Sequence, residues 1–340
     1  MKKIVTRKFG SFKNKDVIIA TLFGDNDTSI SIINWGASIQ NWITNDGNNN
    51  PISTVLGFEN FDYYPLYSPS FGSIIGRVIN RISKGQFSLN GKIYKLDIND
   101  EDNLPNHLHG GKTGFGKSLW DFEINYNDNS IKYFINSQDG HEGYPGNVDA
   151  TVNYRLESRK LYIEIKAMVD RETPINMGQH NYFNLCSKNE KNYNICNHFL
   201  YLDSSKFTET DLNLIPTGEM VEVNSTKMDF SKSKEIGNLE LNDNYVLNSK
   251  VNNKGPSAIL FNPASKLTLN LWTNQPGIQV FNAPKLDIKV PGLNKTIYKN
   301  FSGICLEAQM FPDSVNQPKF PSIISSPENP YFQKTEIEII

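Results

Sequence analysis

The sequence has few cysteines: Cys186, Cys196 and Cys305 are the three among 340 residues, and none forms a C-x-x-C pair. A small odd number argues against a disulfide scaffold and favours a reducing compartment. No apolar run approaches the roughly 20 residues of a membrane span. The charged N-terminal segment also lacks the apolar stretch of a secretory signal. We therefore expect a cytoplasmic protein that does not contact a membrane.

The sequence also lacks an excess of charge of either sign. The chain has 34 Lys and Arg against 36 Asp and Glu, which leaves a formal net charge of −2. This balance provides no long-range attraction to nucleic acid or to an anionic membrane. A hydrophobic content of 38% is ordinary for a globular protein, and 340 residues are enough to bury a large core. A small, neutral partner fits this composition better than a polyanion.

Helical periodicity is almost absent, with one short helix predicted over residues 231–241, whereas strand signals recur. Residues 86–89 and 92–96 flank Asn90-Gly91, a pair that accepts the positive φ values of a two-residue hairpin turn. Two further hairpins are predicted over residues 121–135 and 152–169. In residues 161–169, apolar and polar side chains alternate with a period of two, so one face points inward. The sequence predicts an all-β fold, a large antiparallel β-sandwich, with residues 1–340 forming a single domain.

Residues with useful chemistry are concentrated in four segments. The first is GRVINRI at residues 76–82, where arginine offers a rigid fork of donors that can hold oxygens, or else a solvated charge at a strand end. The second is NHLHGG at residues 106–111, where two histidines two apart on a strand would point the same way. No carboxylate follows at the spacing of a cupin-type metal site, so we expect no metal there. The paired glycines indicate a tight turn or a close approach of the backbone.

The third segment, NMGQHNYFNL at residues 176–185, surrounds His180 with amides and aromatic rings. Histidine can donate or accept a proton near neutral pH, although a hydrogen-bonded core histidine is the alternative. The fourth segment, GICLEAQMFPD at residues 303–313, places Glu307 in mid-strand. A buried carboxylate is rare unless it is paired or functional, but the Cys/Glu/Gln face of this strand could also face water. Cys196 and His198 are weak metal candidates and are expected to be structural.

At these residues the sequence resembles the aldose 1-epimerase, or galactose mutarotase, family. The resemblance runs from Trp35 to the final strand, and its motifs come in the family's order: GRVINRI, HLHGG, GYPG, HNYFNL, Asp243 before Tyr245, GIQ, and LEAQ followed by FPDSVNQPKFPS. Each motif is weak alone, but their joint order identifies the chain as a member. The resemblance implies a galactose mutarotase-like supersandwich, in agreement with the strand pattern.

The resemblance also implies residue roles. His180 matches the family's general acid, and Glu307 matches its general base. The residues that match substrate-binding positions, or lie beside them, are Asn80, Arg81, His109, Asp243 and Gln279.

These roles fit the anomerisation of a free hexose such as galactose or glucose. The ring opens when a base removes the anomeric hydroxyl proton while an acid protonates the ring oxygen, and the aldehyde then rotates and recloses on its other face. The same two groups serve both directions, so no metal and no cofactor is expected. His180 is expected to be protonated in the free enzyme. The partner is a monosaccharide, and the chain is expected to act as a monomer or homodimer.

Several departures from the family pattern bear on activity. Gly178 and Gln179 stand where relatives commonly have Thr-Asn, Ala308 replaces a common Thr, and Met310 replaces a common His. None of these changes removes the proposed acid or base. Two alternatives stay open: a carbohydrate-binding or regulatory homologue without turnover, and a glycoside hydrolase. The hydrolase would need two carboxyl groups about 5–9.5 Å apart.

Overall fold

The computed structural model describes residues 4–103, 105–187, 190, 192–248 and 255–340. Within them the chain is built from strands: β1 (Val5–Phe12), β2 (Lys15–Phe23), β3 (Ser29–Ile33), β4 (Ser38–Asn45), β5 (Pro51–Ser53), β6 (Ile74–Ile75), β7 (Arg81–Ile82), β8 (Gln86–Leu89), β9 (Lys92–Lys95), β10 (His107–Leu108), β11 (Asp121–Asn125), β12 (Ser130–Ser137), β13 (Val148–Glu157), β14 (Lys160–Val169), β15 (Thr173–Pro174), β16 (Gly178–Gln179), β17 (Tyr182–Phe183), β18 (Phe199–Leu202), β19 (Ser204–Thr210), β20 (Pro216–Glu222), β21 (Lys234–Glu235), β22 (Asn242–Leu247), β23 (Ala258–Phe261), β24 (Thr268–Thr273), β25 (Gly277–Phe281), β26 (Ile304–Gln309), β27 (Ile324–Ser325) and β28 (Tyr331–Ile339).

Helical structure is confined, in this described part, to short pieces. They are α1 (Tyr63–Tyr67) and the 3-10 turns Ser83–Gly85, Phe115–Lys117, His141–Gly143 and Leu293–Lys295. Among the residues described, no helix has the length and apolar character needed to cross a membrane.

The three predicted hairpins are confirmed. Strand β8 pairs with β9 across Asn90-Gly91, β11 pairs with β12, and β13 pairs with β14. The predicted helix over residues 231–241 is wrong, because this segment contains strand β21, which pairs with β18. Its backbone continues that pairing: the Ile236 amide donates to the His198 carbonyl, and Ile236 is buried. Pairing with a neighbouring strand therefore outweighs the weak local helix preference.

The larger sheets are antiparallel, as predicted. A five-stranded sheet runs β1-β2-β3-β4-β5, and a nine-stranded sheet runs β11-β12-β13-β14-β28-β24-β23-β18-β21. In β14, Leu161, Ile163 and Ile165 are buried and alternate with half-exposed neighbours, which confirms the period of two. The third sheet has six strands in the order β17-β26-β25-β22-β19-β20.

The main apolar core joins the inner faces of these three sheets. It contains Ile30 from β3, Ile163 from β14 and Val280 from β25. Strand β26 differs from the strands of the nine-stranded sheet because all six of its residues are buried, so neither of its faces meets water. Ile304 and Leu306 on one face belong to the main core, whereas Cys305 on the other joins a second apolar cluster. The prediction that Glu307 lies in mid-strand is therefore confirmed, with its face buried.

Arg77, the first arginine of GRVINRI, is a structural residue. It is only 2% exposed, and its guanidinium donates hydrogen bonds of 2.8–2.9 Å to Ser137 Oγ and to the carbonyls of Ser137, Gln138 and Pro145. The guanidinium therefore binds oxygen atoms, as the sequence indicates, but these atoms belong to the protein itself. These bonds tie residues 137–145 to the segment that leads into β7.

We predict that Arg77→Lys lowers the free energy of unfolding by about 2–4 kcal/mol, because one ammonium cannot reach all of these acceptors and leaves buried carbonyls unpaired. Urea unfolding of the purified variant measures the effect. Arg171→Lys is the matched control, since both side chains of its ion pair with Asp139 are more than half exposed and the change should leave stability nearly unaltered. Equal stability of the two variants would contradict the structural role of Arg77.

Candidate active site

The strand register brings His180 and Glu307 together. Strand β17 pairs with β26 so that Tyr182 lies opposite Cys305. His180 comes two residues before Tyr182 and Glu307 comes two residues after Cys305, so the same antiparallel register brings His180 alongside Glu307. The His180 backbone is fixed there by two hydrogen bonds, from its N–H to the Ser73 carbonyl and from Gly72 N–H to its own carbonyl. His180 Nε2 lies 3.6 Å from Glu307 Oε1.

Burial pushes the pKa values of this pair in opposite directions. Glu307 is 2% exposed, and the loss of water raises the pKa of its carboxyl to about 8, with the Arg81 charge lowering it in part. Burial lowers the pKa of the His180 imidazole to about 4 for the same reason, because the charged form is the one that loses hydration. At neutral pH the pair therefore holds one proton, on the carboxyl. The expectation that His180 is protonated in the free protein is wrong.

Two further side chains fix the His180 ring. It stacks on the Tyr182 ring, with centroids 5.1 Å apart and planes 20° apart. On its other nitrogen, Nδ1 lies 3.5 Å from Cys305 Sγ. Burial raises the pKa of the Cys305 thiol well above its usual value, so the thiol stays neutral and its sulfur can accept a hydrogen bond from Nδ1–H, which leaves the lone pair of the neutral ring on Nε2. The Nε2 atom of the ring is thus the one that faces Glu307.

A metal ion fits this cluster poorly. Ligand atoms of His180, Cys305 and Glu307 lie within 4.8 Å of one another, so spacing alone would allow an ion. The thiol contacts Nδ1 and the carboxylate faces Nε2, however, and these nitrogens lie on different edges of one ring. An ion bonded to the thiol and carboxylate would have to displace at least one of these contacts.

His109 borders the pair, but the two histidines of HLHGG do not point the same way. Strand β10 ends at Leu108, and His109 has a φ of +54°, so the alternation expected along a strand stops before it. The His107 ring turns to Tyr144, whereas the His109 ring lies 5.2 Å from that of His180. Burial and the charges of His180 and Arg81 hold the pKa of His109 well below its usual value. His109 Nδ1 accepts a hydrogen bond from the Asn80 N–H, so its proton lies on Nε2.

The glycines after His109 have the tight geometry that the sequence indicates. Gly110 has a φ of +75°, and a Cβ built on it would lie 1.9 Å from the Gly76 carbonyl oxygen. Only glycine permits this backbone conformation together with such a close approach.

Asn80 and Arg81 supply the next part of the site. Asn80 is buried with a φ of +62°, and its Oδ1 accepts a hydrogen bond from the Arg81 N–H. Arg81 Nε donates to Asp100 Oδ2 over 2.6 Å, and both side chains are nearly buried. Asp100 was not singled out in the sequence, where it is one of several acidic residues in a polar stretch. It holds Arg81 by one edge, and the Arg81 charge acts on Glu307.

Gln279 is in the site and Asp243 is not. Gln279 on β25 lies directly opposite Glu307, so their side chains share a face of the sheet. Asp243 lies opposite Val280, which in turn lies opposite Leu306, so it is on the other face. There Lys227 acts on its carboxyl, and Asp243 acts on Tyr245.

The two neighbours of Asp243, Asn242 and Asn244, lie on the face of Gln279 and Glu307, and both were missed in the sequence. The Asn242 Oδ1 accepts a 2.9 Å hydrogen bond from Gln279 Nε2. The assignment of Asp243 to the pocket is therefore corrected to Asn242, because a shift of one residue along a strand reverses the face.

The departures from the family pattern leave His180 and Glu307 in place. Gln179 Oε1 accepts a hydrogen bond from Asn181 Nδ2, while Gly178 packs where a Cβ would lie 2.8 Å from Ile79 Cδ1. Ala308 is buried beside Glu307 in β26, and Met310 packs against a small apolar cluster.

Comparison with known proteins identifies the family. The sequence matches the family model described as "Aldose 1-epimerase" over residues 19–338. It is 37% identical over 315 residues to a galactose mutarotase of Mus musculus, covering 90% of each chain. It is 32% identical over 332 residues to an aldose 1-epimerase of Haemophilus influenzae, covering 94% of this chain and 95% of the other.

Solved structures agree with this fold. A GalM/aldose epimerase homologue from C. elegans superposes with a TM-score of 0.87 at 25% identity, covering 95% of this chain and 98% of the other. A galactose 1-epimerase from Lactobacillus acidophilus shares the fold with a TM-score of 0.84 at 23% identity, covering 100% and 99%. Sequence and structure together show that the chain belongs to the aldose 1-epimerase family.

Proposed function

We propose that this chain interconverts the α and β anomers of a free aldose such as galactose or glucose, with Glu307 as the base and His180 as the acid. The observation that carries the proposal is the buried pair itself, with Nε2 and Oε1 3.6 Å apart and the pKa values of the two groups separated by burial. Ring opening needs one group that takes a proton and one that gives a proton within the same site. The names of the mouse and H. influenzae relatives support an aldose as the substrate.

The shared proton accounts for both halves of the reaction. Opening requires protonated His180 and ionised Glu307: the ring oxygen takes the proton from Nε2, and the carboxylate takes the anomeric hydroxyl proton. The state left behind has neutral His180 and protonated Glu307, which is the state of the free protein. Reclosure reverses these transfers on either face of the aldehyde. Movement of the proton from the carboxyl to the imidazole prepares the site for the next opening, and the nearby Arg81 charge favours the carboxylate.

Cys305 keeps the acid nitrogen directed at the substrate. The thiol sulfur can accept from Nδ1–H of the imidazolium and also from Nδ1–H of the neutral ring that remains once Nε2 has given up its proton, so Nε2 is free to take a proton back from the Glu307 carboxyl. The contact therefore survives both protonation states of His180, and Nε2 stays on the side of Glu307.

Arg81, His109 and Gln279 are proposed to hold the sugar hydroxyls. Arg81 and His109 present donors, and Gln279 presents an amide beside Glu307. Asn80 supports them by bonding to the backbone of Arg81 and to the ring of His109. We propose that Asn242 takes the role predicted for Asp243.

The two alternatives are less well supported. A glycoside hydrolase needs a second carboxyl facing the first, and Asp243 lies on the opposite face of the sheet from Glu307. A binding protein without turnover would not need the opposite pKa shifts of His180 and Glu307. Anomerisation of pure α-galactose, followed by NMR or polarimetry, tests the proposal, and a rate equal to the spontaneous one would refute it.

The proposal also covers the domain organisation, oligomeric state, partners and compartment of the protein. We infer that residues 1–340 act as one domain, as a monomer or homodimer, on a monosaccharide and without nucleic acid, membrane, metal or cofactor. The three cysteines are free thiols, which favours the cytoplasm.

We predict that Glu307→Gln folds and binds sugar but loses roughly 10²-fold or more in turnover, because an amide keeps the shape and cannot take a proton. Melting temperature, sugar affinity and anomerisation rate are measured on the same preparation. A buried carboxyl with a purely structural role predicts the reverse, a large fall in melting temperature with near-normal turnover.

The pH dependence of kcat/KM should be bell-shaped, with limbs near the pKa values of about 4 and about 8 that the pair holds in the free protein. Below the lower value both groups are protonated and no base remains. Above the upper value both are deprotonated and no acid remains. Initial rates, corrected for spontaneous mutarotation at each pH, measure the profile. An alkaline limb near 6.5, the usual pKa of an exposed histidine, would contradict the effect of burial.

Asn242 and its neighbour form a matched pair of variants. Asn242→Ala should lower kcat/KM roughly 10-fold, mainly through KM, if its contact is equally strong in the ground and transition states. Asp243→Ala should leave kcat/KM within about 2-fold, because its side chain lies on the other face. Steady-state rates on galactose decide between them, and the opposite ranking would restore Asp243 to the pocket.

A further inference from the structure

A large groove lies beside the His109 side of the site. Its volume is about 910 Å³, at the upper end of the range for ligand pockets, roughly 300–1,000 Å³. The turn between β1 and β2 forms one wall, and α1 with the residues after it forms another. Residues 112–119, which follow the HLHGG motif, and the end of β12 complete the groove.

The groove is continuous with the surroundings of His109. A small cavity of about 70 Å³ is lined by His109 and Leu108 and shares Ser70, Gly116 and Lys117 with the groove. Lys117 is close enough that its charge contributes to the lowered pKa of His109. The backbone next to Ser70 also supports the acid, since the Ser73 carbonyl accepts the His180 N–H. The groove therefore approaches the sugar site from the side of His109.

The charge of the groove is opposite in sign to that of the whole chain. Four lysines line it: Lys13, Lys15, Lys112 and Lys117. Among the described residues, none of these four forms an ion pair with a carboxylate. The carboxylate in the lining, Asp139, is paired with Arg171. Nearby Glu142 lies outside the lining and accepts hydrogen bonds from Thr113.

The same groove offers an aromatic surface of the kind on which a sugar ring rests. Phe12 lines it with a half-buried ring, whereas Trp35 and Tyr64 in the lining are buried, and the Phe12 and Trp35 rings pack edge to face with centroids 4.5 Å apart. Aromatic rings beside hydroxyls and cations suit a ligand that has both carbohydrate C–H surface and negative charge. A free neutral hexose in the site uses none of these features.

We propose that this groove binds the outer units of an acidic reducing oligosaccharide, whose reducing end contacts both His180 and Glu307. The lysines hold the acidic group, and Phe12 contacts the intervening sugar. This inference rests on the proposed anomerase function, because the reducing end is the part that reacts. It assigns to the protein a substrate class larger and more negatively charged than a monosaccharide.

The test compares kcat/KM for the reducing glucose of 6′-sialyllactose with that for lactose, followed by NMR. Maltotriose serves as a neutral trisaccharide. The ratio of 6′-sialyllactose to lactose should be about 5-fold or more in low salt and should fall towards one at high salt, as expected for partly exposed charge pairs. Maltotriose should show no such dependence on salt. In Lys112→Gln/Lys117→Gln the ratio should fall at least 2-fold.

A control variant, Lys232→Gln/Lys285→Gln, removes the same charge from two exposed lysines that line neither cavity and should keep the wild-type ratio. A wild-type ratio of one or less, or an equal ratio in both double variants, would overturn the inference. Galactose anomerisation is measured in parallel. If galactose itself does not react, the proposed function fails. Direct binding of 6′-sialyllactose against lactose by calorimetry then tests the groove alone, with equal affinities counting against it.

Discussion

Burial of the Glu307 carboxyl is the constraint on which the rest of the site depends. An ionised carboxylate without water costs several kcal/mol, so the group keeps its proton at neutral pH unless a positive charge compensates. Strand β26 imposes this burial because both of its faces are covered. The same loss of water keeps the neighbouring imidazole neutral. As a result, the buried carboxyl and imidazole share one proton, and this makes reversible proton transfer possible.

The charge of Arg81 partly offsets the effect of burial on the pKa of Glu307. Its Nε is engaged by Asp100, so part of its charge is already compensated before it acts on Glu307. Asn80 and His109, which both adopt left-handed backbone conformations, bring the arginine loop and the histidine loop into contact. The geometry of the site thus comes from loops that the sheets hold in place.

The sequence predicts the sheets better than the site. Alternating apolar residues and Asn-Gly turns are local signals, so the hairpins of β8–β9 and β13–β14 follow from them directly. The choice of face is not local. Whether Glu307 meets water depends on which strands cover β26, and whether Asp243 or Asn242 faces the sugar depends on the register with β25. The role of Cys305 depends on the fold in the same way, because only the folded structure shows that its thiol lies beside Nδ1 of His180.

The position of β28 has a consequence for biosynthesis. This strand, Tyr331–Ile339, lies between β14 and β24 in the middle of the nine-stranded sheet. On the ribosome, the hairpin of β13 and β14 therefore emerges with one edge unpaired, and it keeps that edge until more than 150 further residues have been made. During this interval the unpaired edge of β14 can pair with another chain, so the nascent protein needs protection from such contacts. Chaperone demand should consequently depend on a strand that is translated long after its partner β14.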